Sequence, residues 1–148
     1  MASKPILIIF EGVDKSGKTT LLNAFNKVTD FKYVVLDRFT TSSKVFNHYF
    51  CRNRFDYYNH IEFLAEEDYN VLVVYCHAPV DVIKDRLRKA NEELPKELSN
   101  IEEVKSFFEY TLKHRSIFSN VIKVDTSEDE LKCLVTILNK VKEIENEK

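Results

Sequence analysis

Glycine is nearly absent from this sequence, which has only Gly12 and Gly17 among its 148 residues. Average usage of about 7% would give roughly ten glycines in a chain of this length. Most turns are therefore built without glycine. The two that remain mark backbone that needs a conformation or a close approach that a Cβ atom would prevent. Both lie in the stretch FEGVDKSGKTT.

Cysteine and long apolar runs are also scarce. The three cysteines, Cys51, Cys76 and Cys133, are an odd number at spacings that match no zinc pattern, so reduced thiols are expected. The longest apolar runs, residues 6–10 and 71–76, are far shorter than the roughly 20 residues that cross a bilayer. The first residues, MASKP, contain no apolar signal region. We therefore expect no membrane span and a cytoplasmic location.

The sequence also has no excess of basic charge. It contains 22 Lys and Arg residues and 24 Asp and Glu residues, which gives a net charge of −2. A nucleic-acid partner is not expected, and an anionic ligand needs a specific site. The length fits one domain, residues 1–148, and no repeat or linker divides it.

Four apolar runs rich in β-branched residues predict strands. They are PILIIF, KYVVL, VLVVYC and NVIKV, which place strands near 5–10, 33–37, 71–76 and 121–125. Each run precedes a stretch with helical periodicity. Continuous apolar strands that alternate with helices indicate an α/β fold, in which about four parallel strands are covered on both faces.

Helix faces and caps follow from spacing. The first and the last helix each have apolar residues three or four apart, which predicts that these residues face the sheet: Leu21, Leu22, Phe25 and Val28; Leu131, Leu134, Leu138 and Val141. Ser99 with Glu102, and Ser127 with Glu130, have the spacing of a capping box.

The glycine-containing stretch matches G-x-x-x-x-G-K-[ST], the phosphate-binding loop. It directly follows a predicted strand and opens a helix, so loop amides and the positive helix end can surround a polyphosphate. In this motif Lys18 brings charge to the β- and γ-phosphates, and Thr19 offers a hydroxyl to Mg²⁺. The predicted ATP-binding residues are Gly12, Val13, Asp14, Lys15, Ser16, Gly17, Lys18, Thr19 and Thr20.

A second charged element, Asp37-Arg38, ends the next predicted strand. Ligands of parallel sheets bind beyond the carboxyl ends of the strands. Asp37 can join Thr19 at the metal or accept a proton, and Arg38 can hold a second phosphate. Phosphoryl transfer depends on such positioning and charge neutralisation.

These two blocks resemble the thymidylate kinase family of nucleoside monophosphate kinases. FEGVDKSGKTTLL is similar to that family's F-E-G-x-D-x-[SA]-G-K-[ST]-T, and DRFTTSSKVFN to its D-R-[YF]-x-x-S-x-x-A-Y-Q. The resemblance implies a P-loop NTPase three-layer α/β/α sandwich that uses ATP and Mg²⁺. It also favours a homodimer, and the compact length is similar to viral or phage-encoded members, whose location would be the host cytoplasm.

The resemblance also implies roles for particular residues. Lys15, Lys18, Asp37 and Arg38 would be catalytic, with Lys15 reaching the transferred phosphoryl group and Arg38 holding the acceptor phosphate. Asp14 would face the acceptor sugar. Further acceptor contacts are expected from Ser42, Asn47, Arg52 and Arg54, the last two because they lie in the aromatic segment HYFCRNRFDYYNH. A candidate lid spans about 88–100, and its expected cations are Arg86, Arg88 and Lys89.

One departure from the family lies before Asp37. The family places a further strand with an R-E-P-like turn there, whereas only TDFKYVVL separates the first helix from Asp37 here. This absence is the reason to expect four strands rather than five. It also means that thymine specificity is not implied.

Three functions are therefore open. The first is transfer of the ATP γ-phosphoryl group to a (deoxy)nucleoside monophosphate. The second keeps the fold but uses a hydroxyl acceptor, either a deoxynucleoside or a polynucleotide 5′ end, with Glu11 or Asp37 as the base. The third is a nucleotide-binding protein without catalysis. A switch GTPase is not expected, because the sequence has no N-K-x-D motif.

Overall fold

The computed structural model describes residues 3–49, 57–90 and 100–147. Strands and helices alternate along most of this part of the chain. In order they are β1 (Ile6–Glu11), α1 (Lys18–Val28), β2 (Val34–Asp37), α2 (Thr40–Tyr49), α3 (Tyr58–Asp68), β3 (Asn70–His77), α4 (Val80–Lys89), α5 (Ile101–His114), β4 (Val121–Asp125) and α6 (Glu130–Asn146).

The four strands form one parallel sheet in the order β2-β1-β3-β4. Phe10 pairs with Asp37, and His77 pairs with Asp125, so the carboxyl ends of the strands share one edge. The predicted α/β class, the four strands and their parallel arrangement are confirmed. The extra strand expected of the family is absent from the described sheet, and β2 is an edge strand.

Alternation along β1 divides the core into two layers. Ile6, Ile8 and Phe10 face a cluster completed by α1 and α6. Leu7 and Ile9 face the opposite side, where α2, α3, α4 and α5 contribute to two further clusters. The sheet is therefore covered on both faces, as the uninterrupted apolar runs predict.

The predicted helix faces are correct in part. In α1, Leu21 and Phe25 are buried but Val28 is exposed, because it lies at the last turn, beyond the sheet. In α6, Leu131 is 65% exposed, whereas Ile137 is fully buried. The other predicted residues of the α6 face are correct: Leu134 and Val141 are buried and Leu138 packs against the same cluster, which also takes in Cys133, Ile137 and Ile144.

The capping box predicted from Ser127 and Glu130 is wrong. Asp129 caps α6, and its carboxylate accepts a hydrogen bond from Leu131 N–H at 3.3 Å. Ser127 instead donates its hydroxyl to Asp125. Asn100 caps α5 by accepting from Glu103 N–H at 3.1 Å. Ser99 lies outside the described residues.

The described cysteines, Cys76 and Cys133, are both free and buried. Burial raises the pKa of the Cys76 thiol to about 12. Cys51 lies outside the described residues. In the part of the chain that the structure describes, no helix is both long and apolar enough to cross a membrane.

The two faces of α6 give a direct test of the packing. Ile137→Ala should lower the free energy of unfolding by about 2–5 kcal/mol, because it removes a buried side chain and leaves a cavity. Leu131→Ala should change it by about 0.5 kcal/mol or less, because that side chain is exposed. Urea unfolding of both variants measures the difference. Equal losses would contradict the observed face.

Candidate functional site

Both glycines lie where the backbone has no room for a side chain. Gly12 has φ 150°, and a Cβ there would lie 2.4 Å from the Cys76 carbonyl oxygen of β3. Gly17 has φ 83°, and its Cβ would lie 2.7 Å from the Thr126 side chain. The loop between β1 and α1 is thus wedged against the ends of β3 and β4, and its backbone forms a bare cradle at the start of α1.

Lys18 and Asp37 meet at the carboxyl edge of the sheet. Lys18 opens α1, its side chain is almost fully buried, and its ammonium is paired with the Asp37 carboxylate at the end of β2. Asp37 remains 49% exposed. The structure therefore brings together two of the four residues predicted to be catalytic.

The cradle opens into a first cavity of 660 Å³. One wall is the phosphate-binding loop with the start of α1, and the other comes from α4 and from the chain that follows β4. Two residues of the loop, Gly12 and Ser16, are buried and do not line the cavity. The lining residues are Val13, Asp14, Lys15, Gly17, Lys18, Thr19, Thr20, Leu21, Arg86, Thr126, Glu128, Glu130 and Cys133.

Arg86 forms hydrogen bonds with two residues that line this cavity, Lys15 and Thr126. Its guanidinium donates to the Lys15 carbonyl at 2.9 Å, to Thr126 Oγ1 at 3.1 Å and to the Thr126 carbonyl at 3.0 Å. Thr126 in turn donates its hydroxyl to the Ser16 carbonyl. These bonds hold Lys15, whose φ of 61° is in the left-handed region. Arg86 was predicted as a lid cation, and the structure places it against the loop instead of in solvent.

The remaining lid prediction is only partly described. Arg88 is exposed at the end of α4, and Lys89 pairs with Asp85 one turn earlier at 3.2 Å. Residues 91–99 of the candidate lid lie outside the described residues. The roles assigned to Arg86, Arg88 and Lys89 stay predictions.

Arg38 lies between the loop and α2. Its guanidinium donates to Asp14 Oδ1 and to Ser42 Oγ, each at 2.9 Å, and lies 5.4 Å from the centroid of the Phe46 ring. Its φ of 69° turns the chain away from β2, and its backbone N–H donates to the Phe10 carbonyl at 2.9 Å. Asp37 and Arg38, adjacent in sequence, thus bind two different residues of the phosphate-binding loop.

Glu11 binds Ser42, the residue of α2 that contacts the Arg38 guanidinium. The side chain is fully buried at the end of β1 and accepts hydrogen bonds from the Ser42 N–H at 2.8 Å and from the Ser42 hydroxyl. Burial raises the pKa of Glu11, and its hydrogen bonds with Ser42 oppose that rise. Since the Ser42 hydroxyl gives its only proton to Glu11, its lone pair is left for Arg38. Glu11 therefore orients Arg38 through Ser42.

A second cavity of 450 Å³ is lined by Arg38 and by residues of α2 and α3. Its lining includes the predicted acceptor residues Ser42 and Asn47, and Asn47 donates to the Tyr58 hydroxyl across it at 2.5 Å. Arg52 and Arg54 lie outside the described residues. The lining residues are Arg38, Phe39, Thr40, Ser42, Ser43, Phe46, Asn47, Tyr58 and Ile61. Sequence reasoning did not assign Thr40, Ser43 or Ile61 to the site, and no local pattern marks them.

The oxygen ligands that the protein offers suit a Mg²⁺ ion that is bound mainly through the phosphates of a substrate. Among residues 3–49, 57–90 and 100–147, no group of three or more His, Cys, Asp or Glu side chains is placed to hold a metal ion. Thr19 and Asp37 supply one hydroxyl and one carboxylate beside the cradle. Mg²⁺ commonly binds through one or two protein oxygens together with phosphate oxygens and water, so these residues fit it.

Glu11→Gln tests the hydrogen bonds between Glu11 and Ser42. Glutamine has one acceptor oxygen where the carboxylate uses two, so one Ser42 donor loses its partner. The free energy of unfolding should fall by about 1–3 kcal/mol, as urea unfolding would measure. Glu145→Gln, at an exposed carboxylate bound to the Tyr33 hydroxyl, is the matched control and should change little. Equal effects would mean that the Glu11 carboxylate is not required.

Comparison with known proteins shows a shared fold. No protein-family model and no curated protein sequence matches the chain. Among solved structures, the Bacillus subtilis protein YorR, in complex with phosphorylated GDP, has a TM-score of 0.67 at 21% identity and covers 96% of this chain and 98% of its own.

Two further structures are similar. Deoxyadenosine kinase from M. mycoides with bound dCTP has a TM-score of 0.64 at 16% identity and covers 93% of this chain and 99% of its own. Thymidylate kinase from Candida albicans has a TM-score of 0.62 at 14% identity and covers 100% and 96%. The four parallel strands and the two helical layers thus form the same α/β fold as these three structures.

Proposed function

We propose that this protein transfers the γ-phosphoryl group of ATP to a (deoxy)nucleoside monophosphate. One observation carries the proposal: the Arg38 guanidinium lines the second cavity, where Ser42 of α2 holds it, and it also binds Asp14, a loop residue that lines the first cavity. A guanidinium fork suits the oxygens of a phosphate. Its place beside the second cavity fits an acceptor that already carries one.

The first cavity supplies what a donor nucleotide needs. The bare backbone from Gly12 to Gly17 and the start of α1 would surround the donor phosphates, with the Lys18 ammonium on the β- and γ-oxygens. Thr19 and Asp37 would hold Mg²⁺, which supplies charge neutralisation of the phosphates when bound. Lys15 would bring a positive charge to the transferred phosphoryl group. Its ammonium cannot bind two oxygens at once as an arginine guanidinium can.

A hydroxyl acceptor is the second candidate, and Asp37 is the residue that favours it. Such an acceptor needs a carboxylate base within hydrogen-bond reach. Both oxygens of Glu11 are engaged with Ser42 and the side chain is buried, which argues against Glu11. Asp37 is half exposed, so it would serve once Lys18 turned to the donor phosphates.

The fold relatives define which acceptors to include in an assay. YorR was solved with phosphorylated GDP, and the other two relatives are a deoxyadenosine kinase and a thymidylate kinase. Guanine, adenine and thymine compounds therefore belong in the panel. A cytoplasmic location and a homodimer remain proposals.

ADP formation measured against a panel of nucleosides, monophosphates and 5′-hydroxyl oligonucleotides separates the candidates. Turnover with one or more monophosphates supports the proposal. Turnover confined to nucleosides or oligonucleotides supports the hydroxyl acceptor. Tight calorimetric binding of ATP and a monophosphate, with no ADP formed, would mean a binding protein without catalysis.

Lys18→Ala tests the donor site. It removes the ammonium predicted to contact the β- and γ-phosphates, and turnover should fall by roughly two to three orders of magnitude. Lys140→Ala, which breaks an exposed ion pair with Glu143, is the control and should retain activity. Circular dichroism checks that both variants fold. Full activity in Lys18→Ala would overturn the donor assignment.

Arg38→Lys tests the acceptor site. Lysine keeps the charge but loses the planar fork, so KM for the monophosphate should rise about tenfold while KM for ATP stays nearly constant. Steady-state kinetics with each substrate varied in turn measures both values. A nucleoside kinase whose acceptor has no phosphate would instead show an unchanged acceptor KM.

A further inference from the structure

Helix α3 fully buries a charged side chain, while its apolar packing against the core comes from the partly buried Ala65. Glu62 is its one buried residue, whereas Ile61, Phe63 and Leu64 are exposed. Helices on the surface of a sheet usually bury an apolar stripe. The position of α3 therefore depends on what holds Glu62.

Glu62 forms a buried ion pair with Lys44 of α2. We name these two residues the charged node. The side chains are only 7% and 1% exposed, and Lys44 Nζ lies 2.6 Å from Glu62 Oε2. This contact is ionic rather than an aligned hydrogen bond. Lys44 also donates to Asn59 Oδ1 at 2.7 Å and to the Arg115 carbonyl at 2.5 Å.

The other oxygen of Glu62 connects to the segment after α5. Oε1 accepts from the Ser116 hydroxyl at 3.1 Å and from the Ile117 N–H at 3.2 Å. The charged node therefore links α2, α3 and the chain between α5 and β4. One turn along α3, Glu66 is partly buried too, and its pKa is raised by burial and further by the charge of Glu62. Lys44 supplies the compensating positive charge next to Glu62.

The helices that the charged node joins are the two walls of the second cavity. Ser43 and Asn47 flank Lys44 on α2, and Tyr58 and Ile61 precede Glu62 on α3; all four line the cavity. The same two helices are also joined by the Asn47–Tyr58 hydrogen bond and by the bond from Lys44 to Asn59. A change in the Lys44–Glu62 contact should therefore move the walls relative to each other.

We propose that Lys44 and Glu62 are positioning residues, and that the charged node sets the separation of α2 and α3 and with it the fit of the acceptor nucleotide. This inference rests on the proposed function, since it takes the second cavity as the acceptor site. A buried ion pair adds little net stability compared with apolar packing, but removing one partner leaves the other charge uncompensated. Its value lies in fixing one geometry, here the width of the cavity.

Glu62→Gln is the first test, with kinetics as the readout. The variant keeps the shape of the side chain but loses its charge, so KM for the best monophosphate should rise about tenfold, while KM for ATP should change less than about twofold. Glu143→Gln, at the exposed pair with Lys140, is the matched control and should change neither. An unchanged acceptor KM, or an equal rise in both KM values, would overturn the inference.

Ser116→Ala is the milder variant if Glu62→Gln fails to fold. It removes one donor to Glu62 Oε1 and leaves the ion pair in place, so a smaller rise in the acceptor KM is expected, again without a change for ATP. No rise at all, in a folded variant, would count against the charged node.

Amide hydrogen exchange separates this inference from the proposed function. In Glu62→Gln the peptides of α3 should exchange faster than in the wild type, whereas those of α1 should not. This comparison needs no turnover. If the wild type phosphorylates no monophosphate, the proposed function fails and the acceptor-positioning role fails with it. Faster exchange in α3 would then show only that the charged node anchors this helix. If exchange in α3 is unchanged, the charged node is not an anchor, whatever the enzyme's activity.

Discussion

The phosphate-binding loop lies so close to the ends of β3 and β4 that two of its positions admit no side chain. A Cβ at Gly12 would meet the Cys76 carbonyl, and a Cβ at Gly17 would meet Thr126. Neither contact can relax without moving a strand end or the connection to α6. This close approach fixes the direction in which α1 begins, and therefore where Lys18 lies. It also explains why a chain with two glycines has both of them here.

The charges of the site are arranged from this fixed loop. Lys18 reaches Asp37, and Asp14 reaches Arg38, so adjacent residues at the end of β2 are both tied to the loop. Glu11 and Ser42 complete the arrangement from the core side. Lys18 and Arg38, two of the positive groups that would meet a phosphate, are therefore already held by acidic or hydroxyl oxygens. Such preorganised charge favours phosphoryl transfer, which needs positioning more than covalent help.

Much of the fold could be predicted from the sequence because buried parallel strands are uninterrupted apolar runs. All four strands lie within a few residues of the predicted positions. The face of α6 was partly wrong, since Leu131 and Ile137 both fit a helical period and only packing against α1 and the sheet chooses between them. The cap of α6 was wrong because Ser127 makes a competing bond to Asp125.

The site was predictable only where a motif marks it. The loop and Asp37-Arg38 carry recognisable patterns, and the structure brings them together. Glu11 was considered as a base, but only its burial against Ser42 indicates an orienting role. Lys44 and Glu62 are distant in sequence, and a buried ion pair between two helices leaves no local pattern. Their roles, like those of the predicted lid cations, depend on contacts that spacing does not reveal.

The central claim is that a phosphate-bearing acceptor receives the γ-phosphoryl group beside Arg38. The most direct measurement is to follow label from [γ-³²P]ATP and to identify the labelled product by chromatography. Label should appear in a nucleoside diphosphate made from the added monophosphate, together with unlabelled ADP. Label found only in inorganic phosphate, or only in a monophosphate made from an added nucleoside, would contradict it.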